Sequence, residues 1–229
     1  MRLKTLVFAL LLLMATYLPA FVLVSVLVMT VPDFASAVDT DPWLVVPVII
    51  ATTLTTSTLL ILRISRGNLR GYGLHLPDRD RLWRPLVTGL IFGTLIGALG
   101  RLFGGDSSSF LGETPLVWGI LLFWVGAPIQ EETIFRGLFQ GYLSLNLGGN
   151  MRAGPLPISV PALISAIAFS AVHVGIFTTG SGIDVIAPTV LGALVLGILA
   201  GHYRARDGSL LGPIIIHALF NATGTLIAM

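Results

Sequence analysis

The chain places two adjacent carboxylates, Glu131 and Glu132, in the segment Gln130-Glu131-Glu132-Thr133-Ile134-Phe135-Arg136-Gly137, directly after the apolar run Leu116 to Ile129. On a helix Glu132 and Arg136, four apart, share a face and are expected to form the closest intrahelical ion pair. Glu131 points about 100° away and is free for another task. This division predicts a structural glutamate and a chemical one. Two further polar clusters follow, Phe169-Ser170-Ala171-Val172-His173 and His217-Ala218-Leu219-Phe220-Asn221. In each, the spacing of four stacks the end residues on one helical face. An ionisable residue inside hydrocarbon costs on the order of 3 kcal/mol, so it needs a partner and usually has a purpose.

A carboxylate, two imidazoles and an amide are the parts needed to activate water against an amide bond. Glu131 can take a proton from water, His173 and His217 can orient that water or hold a metal, and Asn221 can donate to a developing oxyanion. With Glu131, His173 and His217 as ligands, zinc would lower the pKa of bound water to about 7. The residues admit both the metal-bound and the metal-free version. The chain has no cysteine, which excludes a disulfide framework, a thiolate zinc site and a cysteine nucleophile. No histidine is followed by glutamate, so the zinc motif His-Glu-x-x-His is absent. Gly180-Ser181-Gly182 and Asp184 do not complete the motifs of serine or aspartyl intramembrane proteases.

The elements that must position these groups follow from composition. With 55% hydrophobic and 10% charged residues in 229, against roughly 25% charged in an average soluble domain, the surface cannot be covered for water. Apolar spans run over 5–30, 43–64, 85–103, 115–137, 157–177, 187–203 and 210–228, most close to the roughly 20 residues a transmembrane helix needs. The expectation is an all-α, multi-pass transmembrane bundle of about seven helices, forming one integral membrane domain over 1–229. The first span is expected to be a retained helix, because its apolar stretch is too long for the h-region of a signal peptide. Arg2, Lys4, Arg63, Arg66, Arg70, Arg79, Arg81, Arg84, Arg152, Arg204 and Arg206 fall on the N-terminal side of this map and Arg101 alone in an opposite loop. That asymmetry predicts a cytoplasmic N-terminus. Gly89, Gly93 and Gly97, and Gly197 and Gly201, recur every four residues and predict close helix packing. His75 and His202 read as ordinary interfacial residues.

On these spans His173 lies about 24 Å along the fifth helix, nearer the outer side than Glu131. Extending the fourth helix to about Leu145 and starting the fifth near Pro161 brings the two together. It also places Arg136 inside protein, where Glu132 must neutralise it.

Glu131-Glu132-x-x-x-Arg136, Phe169-x-x-x-His173 and His217-x-x-x-Asn221 resemble, complete and in order, the three motifs of the CAAX-protease and bacteriocin-processing family, which includes prenyl-protein endopeptidases. The motif-bearing core covers 115–224. The resemblance implies an intramembrane endopeptidase, metalloprotease-like, with Glu131, His173, His217 and Asn221 lining the catalytic cavity and Glu132, Arg136 and Phe169 supporting it. It leaves zinc open as a cofactor. The implied setting is a prokaryotic inner (plasma) membrane, with membrane lipid and a peptide or membrane-protein substrate as partners and no nucleic acid. The alternatives are a non-enzymatic immunity or partner-binding membrane protein and, third, a transporter.

Overall fold

The computed structural model describes residues 3–102, 114–147, 158–175 and 183–228. Asp106, Glu113, Arg152 and Gly180-Ser181-Gly182 lie outside the described residues, as does the side chain of Asp184. The described chain is helical, without a β-strand, in eight helices. They are α1 (Leu3–Thr30), α2 (Pro32–Thr40), α3 (Val45–Ser65), α4 (Trp83–Leu102), α5 (116–146), α6 (Val160–Val172), α7 (Ile183–Asp207) and α8 (Leu211–Ala228). All but the nine-residue α2 match the seven apolar spans. Four are long and apolar enough to cross a membrane by themselves: α1, α4, the stretch Pro42–Ser65 that includes α3, and Ile186–Asp207 of α7. The α6 and α8 regions are shorter apolar helices. Met14, Leu18, Phe21, Leu59, Ile91 and Leu191 turn large apolar side chains outward, as lipid-facing helices do.

Helix ends carry ordinary punctuation. Arg66 and Gly67 stop α3 in the left-handed region, and Gly208, also at positive φ, stops α7. Ser159 caps α6 by accepting the Ala162 N–H, with Pro161 in the first turn.

The centre of the bundle is α5, whose segment from Thr133 to Phe139 is buried on every side. Ala9 and Leu13 of α1 pack against Ile134, Phe135 and Phe139 in one core with Phe169 of α6, Leu196 of α7 and Ile216 of α8. The helix continues to Asn146 rather than stopping near 137, and α6 begins at Val160, so the longer fourth helix and later fifth helix are what the chain adopts. Within α5, Ile120–Gly126 and Thr133–Phe139 are π-helical. Each π segment shifts the hydrogen-bond ladder by one residue and changes the direction in which later side chains point.

The glycine stripes act as close-contact surfaces. A Cβ built on Gly89 would lie 2.9 Å from the Ile216 carbonyl oxygen, and one on Gly97 would lie 2.6 Å from that of Gly224. In α7, a Cβ on Gly197 would lie 2.9 Å from Ala166 Cα of α6. So α4 clamps α8 and α7 clamps α6, the two helices that carry the histidines.

Candidate active site

Three helices deliver the site. From α5, Glu132 and Arg136 are fully buried and pair at 3.1 Å, as their spacing requires. An exposed pair at the end of α7, Arg206 with Asp207, is shorter at 2.8 Å, so the Glu132 pair is the buried one rather than the closest. Arg136 also lies over the Phe169 ring at 4.5 Å, a cation–π contact that faces the guanidinium where it lacks further hydrogen-bond partners.

Glu132 does more than neutralise Arg136. The same Oε1 accepts a 2.8 Å hydrogen bond from His217 Nδ1 of α8. Because a carboxylate can only accept, Nδ1 carries the proton in this contact, and Nε2 is the ring nitrogen left for other partners. That Nε2 lies 3.7 Å from Glu131 Oε2. The sequence reading gave Glu132 a purely structural task, but the fold makes it the residue that orients the imidazole beside Glu131. Glu131 itself keeps 24% of its side chain exposed, against none for Glu132.

His173 follows the last turn of α6, and its Nδ1 donates to the Phe169 carbonyl at 2.8 Å, which leaves Nε2 for other partners. The Phe169 ring meets His173 edge-on at 4.7 Å and His217 at 5.7 Å between centroids. One phenylalanine therefore fixes one histidine through its backbone, touches both through its ring and supports Arg136. Phe135 closes against the same ring at 5.1 Å.

Asn221, one turn beyond His217, donates Nδ2–H to the Phe123 carbonyl at 3.0 Å. That acceptor lies in the first π segment. Ala127 N–H bonds to Leu122 O, so the next donor in the ladder would be residue 128, a proline without an N–H. The second π segment offers Phe135 O to Ser165 Oγ of α6 at 2.8 Å. Glu131, Glu132, Arg136, Phe169, His173 and His217 are thus connected directly, while Asn221 joins through α8 and the Phe123 carbonyl.

The family of type II CAAX prenyl endopeptidases, Rce1-like, matches residues 113–223, which contain all three motifs. Residues 113–223 thus form a domain whose match supports the CAAX-protease and bacteriocin-processing family. The matched family is one of prenyl endopeptidases, a class of peptide hydrolases. The chain is also similar to a subunit of the Na(+)-translocating NADH-quinone reductase of Stutzerimonas stutzeri (strain A1501), at 27% identity over 157 residues. That match takes in 67% of this chain but 37% of the other, so the chain spans little more than a third of that relative's length. No solved structure matches it.

Zinc suits this CAAX-type site by donor type, since two imidazoles with Nδ1–H already engaged present Nε2, the arrangement typical of metal-bound histidines. Yet among the described residues no three His, Asp or Glu side chains approach closely enough to hold an ion together. The arrangement therefore does not fit a bound ion as it stands, and the chemistry below is derived from the protein groups alone.

Sequence reasoning missed Tyr17 of α1, which packs against the core cluster that includes Phe135, Phe139 and Phe169. The visible signal was a phenol in the middle of an apolar span. It also missed Gln140, whose buried amide donates to the Gly201 carbonyl at 3.0 Å and ties α5 to α7 below the site.

Proposed function

We propose that the chain is an intramembrane endopeptidase that cleaves a peptide bond at or near the cytoplasmic face through water activated by Glu131. The observation that supports this most directly is the 3.7 Å separation of Glu131 Oε2 and His217 Nε2, too long for a direct hydrogen bond and short enough for one water beside the pair to contact both. Such a water donates one hydrogen to each, which turns its lone pairs outward toward a substrate carbonyl carbon. As the oxygen attacks, Glu131 takes the proton and later delivers it to the leaving amine. Glu132 is fully buried, with its Oε1 held by Arg136 and by His217 Nδ1–H, whereas Glu131 is partly exposed, so the two adjacent carboxylates have separate roles. His173 Nε2 is a further acceptor for water or for the departing amine. Asn221 uses one amide hydrogen on Phe123 O and keeps the second for the oxyanion.

The substrate class this supports is a peptide or membrane protein presented within lipid. The decisive experiment is cleavage of reporter membrane peptides by the purified chain in proteoliposomes, with and without a chelator. Cleavage lost in Glu131→Gln but kept in chelator supports glutamate-activated water; loss in chelator and recovery with zinc would instead make the enzyme a metalloprotease. A correctly folded wild type that cleaves no reporter would favour the non-enzymatic alternative. No observation at the site favours an ion-translocating role.

A further inference from the structure

The start of α4 and the end of α7 enclose an open pocket of about 280 Å³ lined by Asp80, Arg81, Trp83, Arg84, Arg206 and Asp207. One turn inward from Arg84 and Asp207, the hydroxyls of Thr88 and Tyr203 bond at 2.8 Å and join the two helices. Arg206 lies over the Tyr203 ring at 4.3 Å and Arg84 over the Trp83 ring at 5.4 Å. The charges around the pocket are unevenly satisfied. Arg206 gives two 2.8 Å bonds to Asp207, and Arg81 pairs with Asp78 at 3.4 Å. Among the described residues neither Asp80 nor Arg84 takes part in an ion pair, although both line the same cavity and both are exposed.

Two opposite charges thus face one space without neutralising each other, and the three guanidinium groups are balanced by three carboxylates, Asp78, Asp80 and Asp207. The complement of such a site is a ligand that carries both signs. A phosphate diester suits guanidinium forks, and a primary ammonium suits a carboxylate. What carries these groups follows from α4. Trp83, Val87 and Leu90, at i, i+4 and i+7, form one exposed face that runs from the pocket into the span, while Gly89 and Gly93 turn toward α8. An exposed tryptophan beside arginines at a helix start suits the headgroup level of a membrane, and basic pockets between transmembrane helices bind lipid headgroups.

We infer that this pocket holds a zwitterionic phospholipid with a primary-amine headgroup, of the phosphatidylethanolamine type. Arg84 and Arg81 donate to its phosphate, Asp80 accepts from its ammonium, and its acyl chains run along Trp83, Val87 and Leu90. A purely anionic headgroup would leave Asp80 facing a negative charge, and a choline headgroup offers it no N–H. The inference is independent of the hydrolase reading, since none of these residues belongs to the site around Glu131.

The test offers the purified, delipidated chain in detergent equimolar phosphatidylethanolamine, phosphatidylcholine and phosphatidylglycerol with matched acyl chains, and reads the retained lipid by native mass spectrometry. Free phosphoethanolamine is a separate competing arm. Phosphatidylethanolamine should be retained about 10-fold over the choline lipid, the scale of one charge-assisted hydrogen bond, and free phosphoethanolamine should compete poorly. Arg84→Gln should lower its retention about 10-fold, whereas Asp80→Ala should abolish the preference over the choline lipid. Both melting temperatures should stay near wild type, because the two side chains are exposed. Equal retention of the ethanolamine and choline lipids, a preference for phosphatidylglycerol, full competition by free phosphoethanolamine, or retention that survives both substitutions would each overturn the inference. Should either variant not fold, the wild-type comparison of the three lipids decides alone.

Discussion

Among single residues, the adjacent glutamates differ through their partners. Glu131→Gln preserves size and removes the base, so the variant should fold and accumulate normally while cleavage drops by at least about 10². Replacing Glu132 has a different outcome, because it leaves Arg136 as an uncompensated buried charge. Glu132→Gln is expected to destabilise the fold by about 3–5 kcal/mol, read as lower abundance and melting temperature. Removing both charges together, as Glu132→Leu with Arg136→Met, should restore much of the stability and none of the activity, since His217 Nδ1 then has no acceptor. Recovery of cleavage in that pair would contradict the orienting role of Glu132. The residue types and their spacing of four were legible in the sequence, including the Glu132–Arg136 pair. The bond from His217 to Glu132 was not, because it joins residues 85 positions apart and depends on how α8 is rotated.

The helices hold these groups by close approach and by irregular ladders. Gly93 faces Phe220, with a built Cβ 2.8 Å from that residue's Cα and carbonyl oxygen, whereas a Cβ on Gly100 of the same helix meets nothing within 4 Å. Gly93→Val should therefore push α8 away from α4, lowering both melting temperature and cleavage although it touches no site residue. Gly100→Ala should be neutral or stabilise by about 0.5–1 kcal/mol. Equal effects of the two would contradict the clamp. The glycine periodicity revealed this packing in the sequence. The π segments were not legible, since residue pattern does not specify where a ladder shifts; Pro128 was the visible clue, and its consequence for Asn221 required the α8 partner. The connection between α3 and α4 offers a pH test. Burial, then the positive charges of Arg70 and Arg204, hold the His75 imidazole below its ordinary pKa. The folded state thus favours neutral His75, and as pH falls below about 6.5 the unfolded chain takes up a proton that the folded chain resists. Stability should decline from pH 8 to pH 5.5, and His75→Gln should flatten part of that decline in thermal melts.

For the whole molecule, composition and span lengths made the membrane bundle legible, whereas helix boundaries around the site were settled by packing: burial of the Thr133–Phe139 segment on every side carries α5 past Arg136. Orientation is open to a direct test because the chain has no cysteine of its own. Leu76, 85% exposed in the α3–α4 connection, and Asp39, exposed in α2, are expected on opposite faces. A membrane-impermeant maleimide applied to intact cells should label Asp39→Cys and spare Leu76→Cys; the reverse would invert the positive-inside assignment. The clamp of α4 on α8 also has a consequence in time. A chain is synthesised from its N-terminus, so Glu131, Glu132 and Arg136 enter the bilayer before α8 exists. Only when α8 emerges and docks on the waiting glycine face does His217 reach the glutamates. Until α8 has emerged and docked, a nascent protein lacks the contact of His217 with the glutamates, and the proposed hydrolysis waits for that helix.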